Sequence, residues 1–221
     1  MLANGRLERM DEMDVKKWLA DDLDVSRETL ERLELFAAIL VEEAQHQNLI
    51  SRSTIDGLWD RHIRDSAQLL TLASPSSRSG RWIDLGSGPG LPGMVLAIIG
   101  AMDMTLVEAR ARRVDFLQIA HERLALGGRV HIEGRKLERV ETGTYDVITA
   151  RAFTALPKLF ALAHRFSDAE TQWLLPKGKS AQEELEDARR TWQGDFALHA
   201  SLTNDEAFII EAHNVRPRRR S

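Results

Sequence analysis

The sequence predicts an α/β protein: a mostly parallel, seven-stranded sheet of the Rossmann-like kind with an antiparallel C-terminal hairpin and an N-terminal helical extension. Three observations lead there. From Arg81 onward, short apolar runs alternate with amphipathic segments across brief connections, the pattern of strands joined by crossover helices. The last two apolar runs are separated only by Thr203-Asn-Asp-Glu206, which leaves no room for a helix, so they should pair as a hairpin. The first 80 residues instead carry apolar side chains at helical spacing.

A short helix is expected over 15–21. Ser26 is a natural N-cap for a second helix reaching about Gln47, on which Leu30, Leu33, Phe36, Ala37, Leu40, Val41 and Ala44 recur every three or four residues. A third should run unbroken from about Thr54 to Leu72, with Ile55, Leu58, Trp59, Ile63, Leu69 and Leu70 on its apolar face. The stretch Ser74-Pro-Ser-Ser-Arg-Ser-Gly80 reads as a linker. Strands are expected over 81–85, 103–107, 129–133, 145–150, 171–175, 195–202 and 207–213, with helices near 92–99, 111–126, 156–164 and 179–192. This divides the chain into an extension over 1–80, a ligand-binding domain over 81–215 and a basic tail over 216–221.

The 221 residues, 43% of them apolar, suit a globular protein of this size. No run approaches 18 apolar residues, and the N-terminus lacks the apolar region of a secretory signal, so a cytoplasmic protein is expected. The absence of cysteine excludes disulfides, thiolate metal sites and a cysteine nucleophile, and with the last the usual chemistry of pyrimidine C5 methylation. The net charge of −4 means that any nucleic-acid partner must be met by a local basic face. Arg61, Arg64, Arg110, Arg112 and Arg113 are candidates for it. The tail Arg216-Pro-Arg-Arg-Arg220 fits either such a face or a solvated end.

The run Trp82-Ile-Asp-Leu-Gly-Ser-Gly-Pro-Gly-Leu-Pro-Gly93 carries the chemistry. An apolar strand ends in Asp84, and a turn with Gly86, Gly88 and Gly90 at alternate positions leads into an apolar helix. A second strand, Met104-Thr-Leu-Val107, ends in Glu108. A glycine turn followed by an acid at the next strand end is how an α/β sheet grips a nucleoside: the turn packs on the ligand's middle and the acid takes the ribose hydroxyls. Gly88-x-Gly90-x-x-Gly93 also satisfies the dinucleotide pattern. An acid just ahead of the glycines, however, repels a pyrophosphate and suits the cationic methionine end of S-adenosylmethionine. The all-parallel sheet usual for dinucleotide domains also disagrees with a terminal hairpin. On this reading Asp84, Gly86, Ser87, Gly88 and Gly90 hold the methionine end and Glu108 the ribose.

Ligands of open α/β sheets lie beyond the C-terminal strand ends. Gly134-Arg-Lys-Leu-Glu138, after the third strand, should flank the adenine, and Thr149-Ala-Arg-Ala-Phe153, after the fourth, should face the methyl group. The fourth loop lacks the D/N-P-P-Y/F segment usual in exocyclic-amine methyltransferases. A ring nitrogen with an in-plane lone pair, such as guanine N7, needs only orientation and exclusion of water. Arg151 would orient ligand or phosphate, or pair with Glu108 or Asp84. Phe153 would stack on a base or pack in the core. His62 and Asp65, one turn apart beside Arg61 and Arg64, are read as bonded to the cofactor loop, and no metal site is expected.

These residues resemble the bacterial 16S rRNA (guanine(527)-N7)-methyltransferases, also called glucose-inhibited division protein B. The resemblance covers about Asn48 to Lys177. It rests on Asn48-Leu-Ile-Ser51, Arg61-His-Ile-Arg-Asp-Ser66, Ile83 to Gly93, Arg113-Val-Asp-Phe-Leu117 and Arg151-Ala-Phe153. It implies a class I S-adenosylmethionine-dependent methyltransferase that acts on a guanine of 16S rRNA in the small ribosomal subunit. By motif match, cofactor contacts would fall on Gly86, Leu91, Lys136, Leu137 and Arg151. Arg64, Arg110, Arg112 and Lys177 would approach RNA, and a monomer is expected. Other readings compete: an NAD(P)-dependent oxidoreductase, a non-catalytic RNA-binding or ribosome-assembly module, and a small-molecule methyltransferase, which the arginines around the expected mouth oppose.

Overall fold

The computed structural model describes residues 2, 3 and 6–218. Helix α1 spans Glu12–Leu23 and α2 spans Arg27–Glu43. Both begin on capping side chains: the Asp11 carboxylate accepts from Asp14 N at 2.9 Å, and the Ser26 hydroxyl accepts from Thr29 N at 3.3 Å. Because the Asp11 bond ties down a donor that the helix itself cannot satisfy, Asp11→Ala should cost about 1 kcal/mol. The check is a lower urea midpoint at unchanged slope.

The third expected helix is not continuous. Arg52–Gly57 is a 3-10 helix, Trp59–Arg64 a π-helical turn, and short α-helical pieces follow at Asp65–Ala67 and Leu69–Leu72. The causes are local. Gly57 is a poor helix interior residue, and the Arg9 guanidinium fills the space where a Cβ would stand. Ser66 Oγ donates back to the His62 carbonyl at 2.6 Å, in competition with the backbone ladder. The wider turn re-aims side chains, so Arg61 and Arg64 no longer share the face that a three-residue spacing gives in an α-helix.

The sheet contains β1 (Arg81–Leu85), β2 (Asp103–Val107), β3 (Val130–Glu133), β4 (Val147–Thr149), β5 (Gln172–Lys177), β6 (Trp192–Ala200) and β7 (Phe208–Pro217). Its order is β3-β2-β1-β4-β5-β7-β6. The first five strands are parallel, and β7 runs antiparallel between β5 and β6. Helices α3 (Gly93–Ile99), α4 (Ala111–Arg123), α5 (Leu156–Ala163) and α6 (Ala181–Thr191) alternate with the strands.

Two apolar clusters fill the two faces. One joins Val15, Leu33, Phe36 and Ile63 of the extension to Trp82, Leu96, Leu106 and Leu117, so the N-terminal helices cover part of the sheet rather than a core of their own. The other joins Ile83, Ile148, Phe160, Trp173 and Trp192. Phe160 meets Trp173 edge-on, with ring centroids 5.2 Å apart. The strand order turns outward from β1 in both directions, which opens a crevice beyond the C-terminal ends of β1 and β4. Strand β7 runs past the expected boundary. Arg216 lies within it, Arg218 Nε donates to the carbonyls of Arg189 and Trp192, and residues 219–221 of the expected basic tail lie outside the described residues.

Candidate functional site

Strand β1 alternates Trp82 and Asp84 toward α3 and Ile83 and Leu85 toward the other face. The register sets Asp84 beside Thr149 of β4. Asp84 is fully buried. Its Oδ1 accepts from the Thr149 hydroxyl at 3.0 Å and its Oδ2 from Gly93 N at 3.1 Å, which fastens the start of α3 to β1. Burial pushes its carboxyl up to about 6, against the pull of the Thr149 and Gly93 bonds and the Arg151 charge. The turn that follows needs glycine, since Gly86, Gly88 and Gly90 have φ of +70°, +56° and +84°. At Gly90 a Cβ would also stand 2.7 Å from that of Met94.

The turn forms the edge of a cavity of about 270 Å³, lined among others by Gly86, Val107, Glu108, Arg113, Leu137 and Phe153. Glu108 is its anchor. Oε2 accepts from Gly88 N at 3.0 Å, and Oε1 accepts from Ala109 N at 2.8 Å and Arg110 N at 2.9 Å. Three amides thus fix a carboxylate whose remaining lone pairs can take hydroxyl donors.

Of the residues expected to hold a cofactor, Gly86, Glu108 and Leu137 line this cavity. Asp84, Ser87, Gly88, Gly90 and Leu91 are buried and do not line it; they hold its wall from behind. Strand β1 points the Asp84 carboxylate inward, where it bonds Thr149 and the start of α3 behind the turn. Lys136 is exposed and outside the lining, and Arg151 faces the neighbouring cavity. Val107 and Ala109, which line the small cavity, carry no sequence signal beyond flanking Glu108.

That neighbouring cavity, of about 420 Å³, lies beyond β4 and β5 and shares Ala152 and Phe153 with the first. Ala152 has φ of +51°, a conformation that L residues seldom adopt and that clusters at functional sites. Phe153 is not a core residue. It is 36% exposed, and a Cβ on Gly86 would collide with its ring.

Arg151 Nη1 contacts Asp65 Oδ2 at 3.1 Å, so its partner is neither Glu108 nor Asp84. Asp65 Oδ1 accepts from the Thr203 hydroxyl at 2.7 Å and from Gln68 Nε2 at 3.0 Å, while Gln68 Oε1 accepts from Leu202 N at 2.8 Å. The extension is thereby clipped to the β4 loop and to the β6–β7 connection. No local sequence pattern singles out Gln68 or Thr203, and only the tertiary packing brings Thr203 to Asp65.

His62 departs from expectation. Thr54 Oγ1 donates to the Ser51 carbonyl and accepts from His62 Nε2 at 2.9 Å, which leaves the buried Nδ1 unpartnered among the described residues. Burial first, then Arg151, lower the His62 pKa to about 4, so the ring is neutral at pH 7.

Two arginines of the π-helical turn point different ways. Arg64, expected to approach RNA, turns inward: Nη1 pairs with the buried Asp60 at 2.9 Å and the guanidinium lies 5.5 Å from the Trp18 ring centroid. Arg61 lines the larger cavity instead. Lys177 also lines it, but its Nζ is held at 2.8 Å by both the Thr154 carbonyl and Glu184. Arg110 lines the small cavity, and Arg112 is exposed with Nη2 on the His46 carbonyl. Among the described residues, no helix is long and apolar enough to cross a membrane.

A family model described as rRNA small subunit methyltransferase G matches residues 29–207. The chain is 49% identical over 208 residues to the ribosomal RNA small subunit methyltransferase G of Zymomonas mobilis, covering 91% of this chain and 93% of the other. The chain belongs to the rRNA small subunit methyltransferase G family. A further member, from Rhizorhabdus wittichii, is 47% identical over 95% of each chain. Among solved structures, the fold is similar to that of a ribosomal protein L11 methylase from Lactobacillus delbrueckii, at a TM-score of 0.54 and 14% identity over 72% of this chain and 79% of that one. It is also similar to a glycopeptide N-methyltransferase complexed with S-adenosylmethionine, at 0.57 and 10% identity over 69% and 93%. The methyltransferase fold expected from the sequence is thus the fold found.

Proposed function

We propose that this member of the family transfers a methyl group from S-adenosylmethionine to N7 of a guanine in small-subunit rRNA, at guanine 527 of bacterial 16S rRNA. The observation that carries the reading is a pair of adjoining cavities at the switch point of the sheet, with Ala152 and Phe153 common to both. Donor and acceptor can then meet across one short loop.

The small cavity suits the donor. Glu108 is presented for a ribose diol, and Asp84, which has no ion pair among the described residues, puts a buried negative charge beneath the turn. A buried carboxylate favours a cationic ligand over a pyrophosphate, which speaks against the oxidoreductase reading. When bound, S-adenosylmethionine supplies an electrophilic methyl group.

The larger cavity suits an acceptor that needs no proton removed. Its carboxylates are engaged, Asp65 by Arg151, Thr203 and Gln68, and Glu184 by Lys177, Leu156 N and Ser180. What remains for the chain to do is to orient the base and exclude water.

The test is incubation with methyl-labelled S-adenosylmethionine and small ribosomal subunits, or their rRNA, from a strain lacking this gene. One labelled 7-methylguanosine, at guanine 527 by fragment mass, is expected. Unlabelled rRNA, or binding of NADH in preference to S-adenosylhomocysteine, would overturn the reading.

A further inference from the structure

The larger cavity is not equally furnished with free charge. Arg151 is paired with Asp65, and Lys177 is held by Glu184 and the Thr154 carbonyl. Arg61 also lines the cavity and is exposed, and its side chain makes no hydrogen bond or ion pair among the described residues. A guanidinium left open at the rim of a ligand-sized cavity is a seat for an anion, and its forked donors match a phosphate. The π-helical turn puts it there while sending Arg64 to Asp60.

From this we infer that the larger cavity receives the target nucleotide turned out of its RNA, with the base against Phe153 and an adjacent phosphate on Arg61. The inference rests on the methyl-transfer reading above. Within an A-form helix the N7 edge faces a deep, narrow groove that side chains do not enter, so a recessed site requires an extruded nucleotide.

Phe153 offers a partly exposed aromatic ring, and it borders both cavities, so a base stacked on it lies against the methyl donor's cavity. Asn204, also in the lining, uses Oδ1 to accept from Glu206 N at 3.0 Å. Its amide hydrogens remain for an acceptor on the base, and guanine presents O6 beside N7. Arg61 and Phe153 therefore govern RNA binding and base placement, while the residues around Glu108 govern the donor.

The experiment compares Arg61→Ala, Arg61→Lys and Phe153→Ala with the wild-type chain, by steady-state methyl transfer to small-subunit rRNA over a series of salt concentrations. Arg61→Ala should raise KM for RNA about tenfold or more with kcat within about twofold, and should reduce the salt slope of binding by about one. Arg61→Lys should restore the slope and part of the affinity. Phe153→Ala should lower kcat/KM by about ten- to a hundredfold. S-adenosylhomocysteine affinity of Arg61→Ala, by calorimetry, should match wild type, which separates a lost RNA contact from a damaged fold.

A wild type that methylates rRNA, combined with an Arg61→Ala variant of unchanged KM and salt slope or a Phe153→Ala variant of unchanged kcat/KM, would overturn the inference. A wild type that labels no rRNA would overturn the functional reading and the nucleotide seat with it.

Discussion

Replacing Glu108 with alanine is expected to weaken binding of S-adenosylhomocysteine by about a hundredfold or more, since hydrogen bonds to a charged group contribute about 1.5–3 kcal/mol each. Two effects combine. On the proposed reading the carboxylate receives a ribose diol, and it also organises the cavity through Gly88 N, Ala109 N and Arg110 N. Of these donors, Ala109 and Arg110 belong to exposed residues and can turn to water, whereas Gly88 is buried. Its orphaned amide should cost about 1–3 kcal/mol of stability.

Glu108→Gln removes the charge at nearly constant shape. It keeps one acceptor oxygen but sets an amide nitrogen against backbone donors, so it should also bind poorly, with the charge lost and the side-chain volume unchanged. Calorimetry with S-adenosylhomocysteine and urea unfolding measure the two effects independently. Affinity of Glu108→Ala within about threefold of wild type would remove Glu108 from the donor site.

The contrast between Glu108 and Arg61 shows what could be read from the chain and why. The glycine turn, the two acids and the strand ends are local: period-two alternation puts Asp84 and Glu108 at the ends of β1 and β2, and only glycine suits the φ values between. The terminal hairpin was legible for the same reason, because four residues cannot hold a crossover helix.

The larger cavity was not. Asp65 and Thr203 are 138 residues apart, and only the packing of the extension onto the sheet brings them together. That Arg61 rather than Arg64 lines this cavity depends on a π turn that apolar spacing does not reveal, because Ile55, Leu58, Trp59 and Ile63 fit a regular helix equally well. The inward turn of Asp84 follows from which face α3 covers, again a matter of tertiary arrangement.

The Asp84 carboxyl should make the protein less stable as pH rises from about 4 to about 6. Its ordinary value is 3.8 and burial raises it to about 6 in the folded chain. Below 3.8 both states hold the proton and there is no penalty. Between the two values the unfolded chain ionises first, so stability falls. Above about 6 the full cost of a buried carboxylate is present, of order 3 kcal/mol.

His62 works in the opposite direction. Its pKa is lowered by burial, so the stability linked to it is lost as pH falls from 6.5 toward 4. A wild-type curve alone mixes the two groups, and Asp84→Asn separates them. Asparagine can still accept from Thr149 but sets an amide nitrogen against Gly93 N, so the variant should be less stable than wild type at pH 4. That deficit should shrink toward pH 7, because only the wild type then bears a buried charge. Urea unfolding at intervals across this range measures the difference, and a difference independent of pH would show that Asp84 does not titrate there.

The same linkage reaches the ligand. A sulfonium favours the ionised carboxylate and a neutral thioether does not, so S-adenosylmethionine should gain affinity over S-adenosylhomocysteine between pH 5 and pH 7 in the wild type and not in Asp84→Asn. An affinity ratio that stays constant in the wild type would mean that the buried charge plays no part in choosing the cation.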